Sequence, residues 1–587
     1  RLGIRPDGSL LQATRAQVGG VVSGAAGACV ACHRRSGMGM QEGRLLAPPV
    51  AGAILFKPGA PYRPARAGAP SGARRSASAP AITQQAARHL ARSAYDVASL
   101  TRALTEGFDP NGRPLDVLMP RYALSQAEVA QLAAYLNQLD PQQASGLDEP
   151  GLIHLATVIT PDAPARRRAV VVETLQHWAD AVALRGRRVR LQVWQLEGAA
   201  STWRAQLERL QQQRPVYAVV SGAGRADWAP VQAFCEARQL PCILPLIDLA
   251  PDTLDVATTS AASTASTGST PSATAATPAA ATATSADEPY YSLYFSAGVD
   301  AEAQLAARYL MALPAATAAT SPAGPPALLQ LSAPGDPLGA AAARRFAATW
   351  PETANLTTLE VDAHAPDAGE RLLHALSLTL APAAGPITTG AGKTGTGSTT
   401  GAGSHAAQRR LMLWVDPAQL QAWVARFPAG IPGVASVLVS AQLSPAQALD
   451  LPPAWQRQIA WASLKSDPTR LRAGQAMVLS TWLTHLGLAA QPGSEQTEVY
   501  AAAFFVGDAL ARMRLGWSQT WLMEQLETVV NNRPAGAAYY SLSLGPGQRV
   551  AAKVGRVLAI EPASGTAQAL PWQDRLAPVS ELIRADD

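Results

Sequence analysis

The chain has 587 residues, 48% of them hydrophobic and 16% charged, with Gly and Pro at 46 each. That length exceeds one compact domain, and that apolar content excludes a wholly disordered chain. No uncharged apolar run reaches ~18 residues, which excludes a membrane-spanning helix in the sequence as it stands. Charge is uneven: residues 1–145 hold 16 basic and 8 acidic side chains, a balance of +8, and the rest of the chain carries −3. A basic first unit either steers toward an acidic protein partner or is simply a soluble Arg-rich surface. Its Arg residues are scattered and no nucleic-acid-binding motif accompanies them, which argues against nucleic acid. The first residue is Arg1 rather than Met, so the numbering is expected to start after removal of a targeting segment.

Residues 1–145 read as a small helical unit, interrupted by a surface loop over Pro58–Pro80 that is rich in Pro, Ala, Gly and Arg. Within it stands Cys29-Val30-Ala31-Cys32-His33, followed by Gly37, Gly39 and Pro48-Pro49. Cys-x-x-Cys-His is the attachment signature of c-type haem: each thiol adds to a vinyl group, and the adjacent His is placed to ligate iron. The competing redox dithiol needs its motif to follow a strand and open a helix of a βαβ unit, and the residues upstream are not strand-like. A helix carrying Val97, Leu100 and Leu104 is predicted to end near Gly107. Met119 lies just ahead of a second helix, which has Ser125 as N-cap, Glu128 completing a capping box, and an apolar stripe of Val129, Leu132, Ala133, Leu136 and Leu139. Met119 is the candidate second axial ligand. Met38, Met40 and His89 compete for that role, and a packed core methionine is the alternative.

From about Gly151 short apolar strands alternate with amphipathic helices. Leu152–Ile159 is a strand, Arg166–Leu184 a helix capped at Gly186, and Val189 to Val193 a half-buried strand. A helix over Trp203–Gln213, the strand Val216–Val220, a helix near Trp228–Arg238 and the strand Cys242–Leu246 complete the first set. Cys235 and Cys242 fall at a helix-to-strand junction and read as a disulfide or as two buried thiols. The second set runs from a helix at Ala301–Leu313 through strands at Ala327–Leu331, Leu356–Val361 and Leu411–Val415, with helices at Leu338–Thr349 and Gly369–Leu376 between them. The order predicts two doubly wound parallel sheets forming two lobes with a cleft. Low-complexity tracts at Asp252–Pro289 and Pro382–Gln408 are expected to be surface inserts.

The Cys29–His33 motif, Met119 and the two helices together resemble the single-haem class I cytochromes c over roughly residues 10–140. That resemblance implies an all-α domain with one covalent haem c, held by Cys29 and Cys32, with His33 and Met119 as metal ligands. Residues 146–587 resemble the type I periplasmic binding proteins of the branched-chain amino-acid and amide ABC importers. Tyr217–Gly222, Cys235–Pro251, Tyr290–Asp300, Tyr500–Ala503 and Leu542–Arg549 carry that likeness in order. It implies lobe one at about 151–289 plus later segments, and lobe two at about 290–430 plus a C-terminal segment.

Departures from that pattern matter. The loops expected to hold a ligand carboxylate read Gly222-Ala223-Gly224 and Pro245–Leu249, poor in hydroxyls, and Pro337-Leu338-Gly339 replaces a lobe-two aromatic. A carboxylate there lacks its usual donors. Two nucleotide-like fragments are decoys: Asp227 stands where a dinucleotide fingerprint needs its third glycine, and Ile387 where a phosphate loop ending at Gly392-Lys393-Thr394 needs its first. The resulting expectation is a periplasmic single-electron carrier, not a catalyst, with a redox protein partner and a body for docking or small-ligand sensing. An importer's solute receptor with an accessory haem is the second reading, and a haem peroxidase needs the iron position that Met119 fills.

Overall fold

The computed structural model describes residues 3–5, 7–15, 20–42, 45–59, 91–142, 144–251, 289–313, 328–351, 356–378, 409–466, 473–532, 538–545, 547–561 and 575–585. The predicted inserts at Pro58–Pro80, Asp252–Pro289 and Pro382–Gln408 lie outside these residues, apart from 58, 59 and 289, as do His89 and Gly392-Lys393-Thr394.

Among the described residues four α-helices carry the first unit: Val30–His33, Gly52–Leu55, Val97–Thr105 and Gln126–Gln138. The two longer ones begin on reciprocal capping boxes, Asp96 with Ser99 and Ser125 with Glu128, which satisfy amide groups that would otherwise lack partners. Leu100, Leu104, Val129, Ala133 and Leu136 meet Leu55, Ala13 and Tyr122 in one buried cluster. Short strands run beside the helices: β1 Gln12–Thr14, β2 Val21–Ser23, β3 Met40–Glu42, β4 Leu45–Ala47 and β5 Arg121–Tyr122. They pair antiparallel, as β2-β1-β5 and β3-β4. The reading of nothing strand-like upstream of Cys29 is thus corrected by β2. Its only described partner is the antiparallel β1, so the motif still does not open a βαβ unit.

Beyond residue 150 two sheets form. The first joins β6 Leu152–Ile159, β7 Ala183–Leu184, β8 Arg187–Gln195, β9 Ala218–Val220, β10 Cys242–Ile243 and β11 Ser292–Leu293 in the order β11-β10-β9-β6-β8-β7. All its pairs are parallel except β7 with β8. The helix after β6 spans Ala165–Ala181, shorter than expected, because Ala183-Leu184 leaves it to make a hairpin. Arg185 and Gly186 have φ of 51° and 80°, the double left-handed turn that suits the twist of paired strands, so Gly186 belongs to a hairpin and not to a helix cap.

The second sheet holds β12 Leu328–Ser332, β13 Leu356–Glu360, β14 Arg409–Trp414, β15 Val434–Ser440, β16 Ile459–Ser463, β17 Val554–Ile560 and β18 Leu576–Pro578 in the order β13-β12-β14-β15-β16-β17-β18, with β19 Ile583–Arg584 on β17. It is parallel from β13 to β16 and antiparallel beyond. Strand order reverses beside β6 in one sheet and beside β12 in the other, and crevices open at the carboxyl ends of strands at such reversals. Near the joins between lobes, segments pair side by side through Tyr294 with Val550 and Lys465 with Tyr539. Among the described residues no helix is long and apolar enough to cross a membrane.

Cys235 and Cys242 are joined, their Cα atoms 6.1 Å apart, tying the helix Ala229–Arg238 to β10. Closing so short a loop restricts the unfolded chain by about 2–3 kcal/mol. A Cys235→Ser/Cys242→Ser protein is therefore expected to lose about that much stability in guanidinium unfolding, and an unchanged midpoint would contradict it. A second prediction concerns Glu302, which is 1% exposed and accepts from Ser440 Oγ at 2.5 Å and Gln442 N at 3.0 Å. Burial raises its carboxyl from 4.5 to about 7. The folded state then keeps a proton that the unfolded chain has released, so this group's contribution falls as pH rises between those values. Glu302→Gln is expected to lose less stability than the parent between about pH 5 and about pH 8, and equal losses would refute the assignment.

Candidate functional site

Cys29 caps the single-turn helix Val30–His33, and its carbonyl accepts from His33 N at 2.9 Å. One turn therefore carries both thiols and the imidazole. Cys32 is exposed and Cys29 half-buried, and the two are not joined to each other. Burial pushes the Cys29 thiol up, against a hydrogen bond with Tyr122 that lowers it. Arg34, with φ of 63°, ends the helix and turns the chain sharply. Gly39 then passes with φ of 72°, and a side chain there would meet the Ala47 carbonyl oxygen at 2.0 Å, so the two arms of the loop can close only on glycine.

The loop returns Pro48 to the histidine, whose Nδ1 lies 2.9 Å from the Pro48 carbonyl oxygen. A carbonyl can only accept, so Nδ1 carries the proton and donates, and Nε2 is left with its lone pair. Burial lowers the His33 pKa, favouring the neutral ring that a metal requires.

Met119 is half-buried and packs against the same apolar cluster as Cys29. Its amide donates to Asp116 O at 3.1 Å, and its carbonyl accepts from Arg121 at 2.5 Å, fixing the turn before the last helix. Its rivals are placed differently. Met38 is 6% exposed and belongs to the apolar cluster of lobe one, while Met40 is half-buried at the start of β3. Two thiols, a neutral imidazole with one nitrogen free, and a thioether against a shared apolar wall make a donor set that fits haem c.

A second feature was missed at the sequence level. Residues 34–38 do not face solvent but enter lobe one, where the helix Gln519–Asn532 presents Glu524 and Glu527, 3% and 4% exposed. Glu524 accepts from Ser36 N at 2.8 Å and from Ser36 Oγ, and Glu527 pairs with Arg34 and, at 2.8 Å, with Arg549. The Tyr290 ring lies beneath the guanidiniums of both Arg35 and Arg549, 4.2 and 4.6 Å away. The available signal was the i, i+3 spacing of two acids inside an otherwise apolar helical pattern.

The crevice between lobes is also lined by charge. Arg167 donates to Gly224 O and to Asp248 Oδ1, each at 2.7 Å, and Gln442 of lobe two reaches Asp248 Oδ1 at 2.7 Å. The hydroxyl-poor loops at Gly222–Gly224 and Pro245–Leu249 thus find their partners within the chain.

The cytochrome c family model matches residues 23–140. No curated protein matched the chain. Similar solved structures include a fatty acid ABC transporter substrate-binding protein from Thermomonospora curvata, 12% identical with TM-score 0.47, covering 76% of this chain and 95% of that one. A branched-chain amino acid ABC transporter protein from Thermus thermophilus with bound valine is 11% identical with TM-score 0.48, covering 76% and 97%. A leucine-binding protein from Thermotoga maritima is 10% identical with TM-score 0.47, covering 74% and 99%. Residues 23–140 are a cytochrome c domain, and the cofactor of that family is covalently bound haem c.

Proposed function

We propose that this chain is an exported, periplasmic c-type cytochrome that carries single electrons, its haem bound through Cys29 and Cys32 and ligated by His33 and Met119. The observation that carries the reading is the His33–Pro48 hydrogen bond inside the family-matched segment, which orients a neutral imidazole with one nitrogen to offer. Bound haem c supplies a one-electron iron couple. The chain's residues would do the rest: the two cysteines would tether the group, His33 and Met119 would ligate its iron, and the Pro48 carbonyl holds the imidazole in one tautomer. With His33 and Met119 as its ligands the iron would offer no place for substrate, which supports a carrier rather than a catalyst. Thioether attachment and the Cys235–Cys242 bridge both suit an oxidising, export-side compartment.

Exposed Val117 and Leu118, 45% and 53% accessible, directly precede Met119 within a domain of net positive charge, a surface suited to an acidic redox protein. The body serves docking or small-ligand sensing. A solute receptor for an importer is the second reading, favoured by two doubly wound sheets facing one crevice. It ranks below the first because Asp248 already occupies Arg167 and Gln442 there.

The reduced, matured protein is expected to show the visible spectrum of low-spin c-type haem. Met119→Ala is expected to give high-spin iron, and a spectrum unaltered by that change would assign the distal position to another residue.

A further inference from the structure

We propose that Glu524, on a lobe-one helix, is a positioning residue for the haem-ligating His33, acting through Ser36 and the loop that carries Pro48. The proposal rests on His33 holding the iron. Ser36, 6% exposed, donates its amide to Glu524 Oε1 at 2.8 Å and its hydroxyl to Glu524 Oε2, while that hydroxyl accepts from Met38 N at 3.1 Å. The next carbonyl, that of Gly37, accepts from Val50 N at 2.7 Å and Ala51 N at 3.0 Å. Pro48, whose carbonyl takes the His33 Nδ1 proton, sits two residues before Val50. Gly39 N closes the ring onto His33 O at 3.0 Å. The segment that aims the imidazole is thus hung between the histidine's own helix and a carboxylate nearly five hundred residues away in sequence.

Burial makes the arrangement stiff. Glu527 is held between Arg34 and Arg549, itself 4% exposed, and Tyr290 adds its hydroxyl to Glu524 at 3.3 Å. Carboxylates so deeply placed are costly unless fully paired, so the loop has one low-energy position. One consequence reaches the metal. A well-directed hydrogen bond from Nδ1 raises the donor strength of the opposite nitrogen, which favours the oxidised state. Loss of that direction raises the reduction potential. A contact that only glues the domain to the body changes melting and leaves the potential alone.

The test is a spectroelectrochemical titration of the matured full chain bearing Ser36→Ala, Glu524→Gln or, as a remote control, Glu208→Gln. The expected result is a higher midpoint potential in Ser36→Ala and Glu524→Gln, and the parent value in Glu208→Gln. Variants that melt earlier yet keep the parent potential would overturn the proposal, as would an equal shift in the control. Ser36→Ala removes a single hydroxyl and decides the matter should Glu524→Gln fail to fold. A low-spin spectrum that survived His33→Ala unaltered would overturn the reading of His33 itself, and this proposal with it.

Discussion

A hydrogen bond from one imidazole nitrogen to a proline carbonyl gives the Cys29–His33 turn a neutral histidine of fixed tautomer beside its two thiols. Without the Pro48 acceptor the His33 ring could turn and either nitrogen could carry the proton. With it, the tautomer is set and the second nitrogen keeps its lone pair. The surrounding sequence serves that contact: Arg34 ends the helix, Gly39 lets the arms cross, and the helix Gln126–Gln138 supplies the apolar wall shared by Cys29 and Met119.

The same loop explains why the small domain and the large body belong to one chain. Met38 and Ala51 are counted within the apolar core of lobe one, together with Leu522, Leu526 and Val529 of the helix that bears the two acids. Pro141 O accepts from Trp517 N at 2.7 Å and Ser518 N at 2.9 Å, a second tie between the end of the small domain and the body. Tyr290 and Arg549, which close the charged cluster, stand next to the segments paired near the joins between lobes, where Tyr294 N meets Arg549 O at 2.8 Å. The histidine loop and the inter-lobe connections therefore share partners.

Much of this could be read from residue order alone, for identifiable reasons. Cys29, Cys32 and His33 are contiguous, so their chemistry needs no tertiary information. The helix at Ser125 announces itself through a reciprocal cap, and β6 through a continuous apolar run. The failures have physical causes as well. Ala183 and Leu184 are apolar enough to continue a helix, and only the pairing with Arg187 and Arg188 draws them into a hairpin. β1 and β2 are three residues each, too short for alternation to register. Nothing local to Glu524 and Glu527 reveals that Ser36, Arg34 and Arg549 will arrive from far along the chain. Asp248 was likewise unremarkable until Arg167 and Gln442 converged on it.

Peptide mapping by mass spectrometry of the matured protein reaches the root of the account. It predicts one haem covalently attached to the fragment containing Cys29 through His33, with neither thiol open to alkylation. Recovery of that fragment with both cysteines alkylated and no haem attached would contradict it.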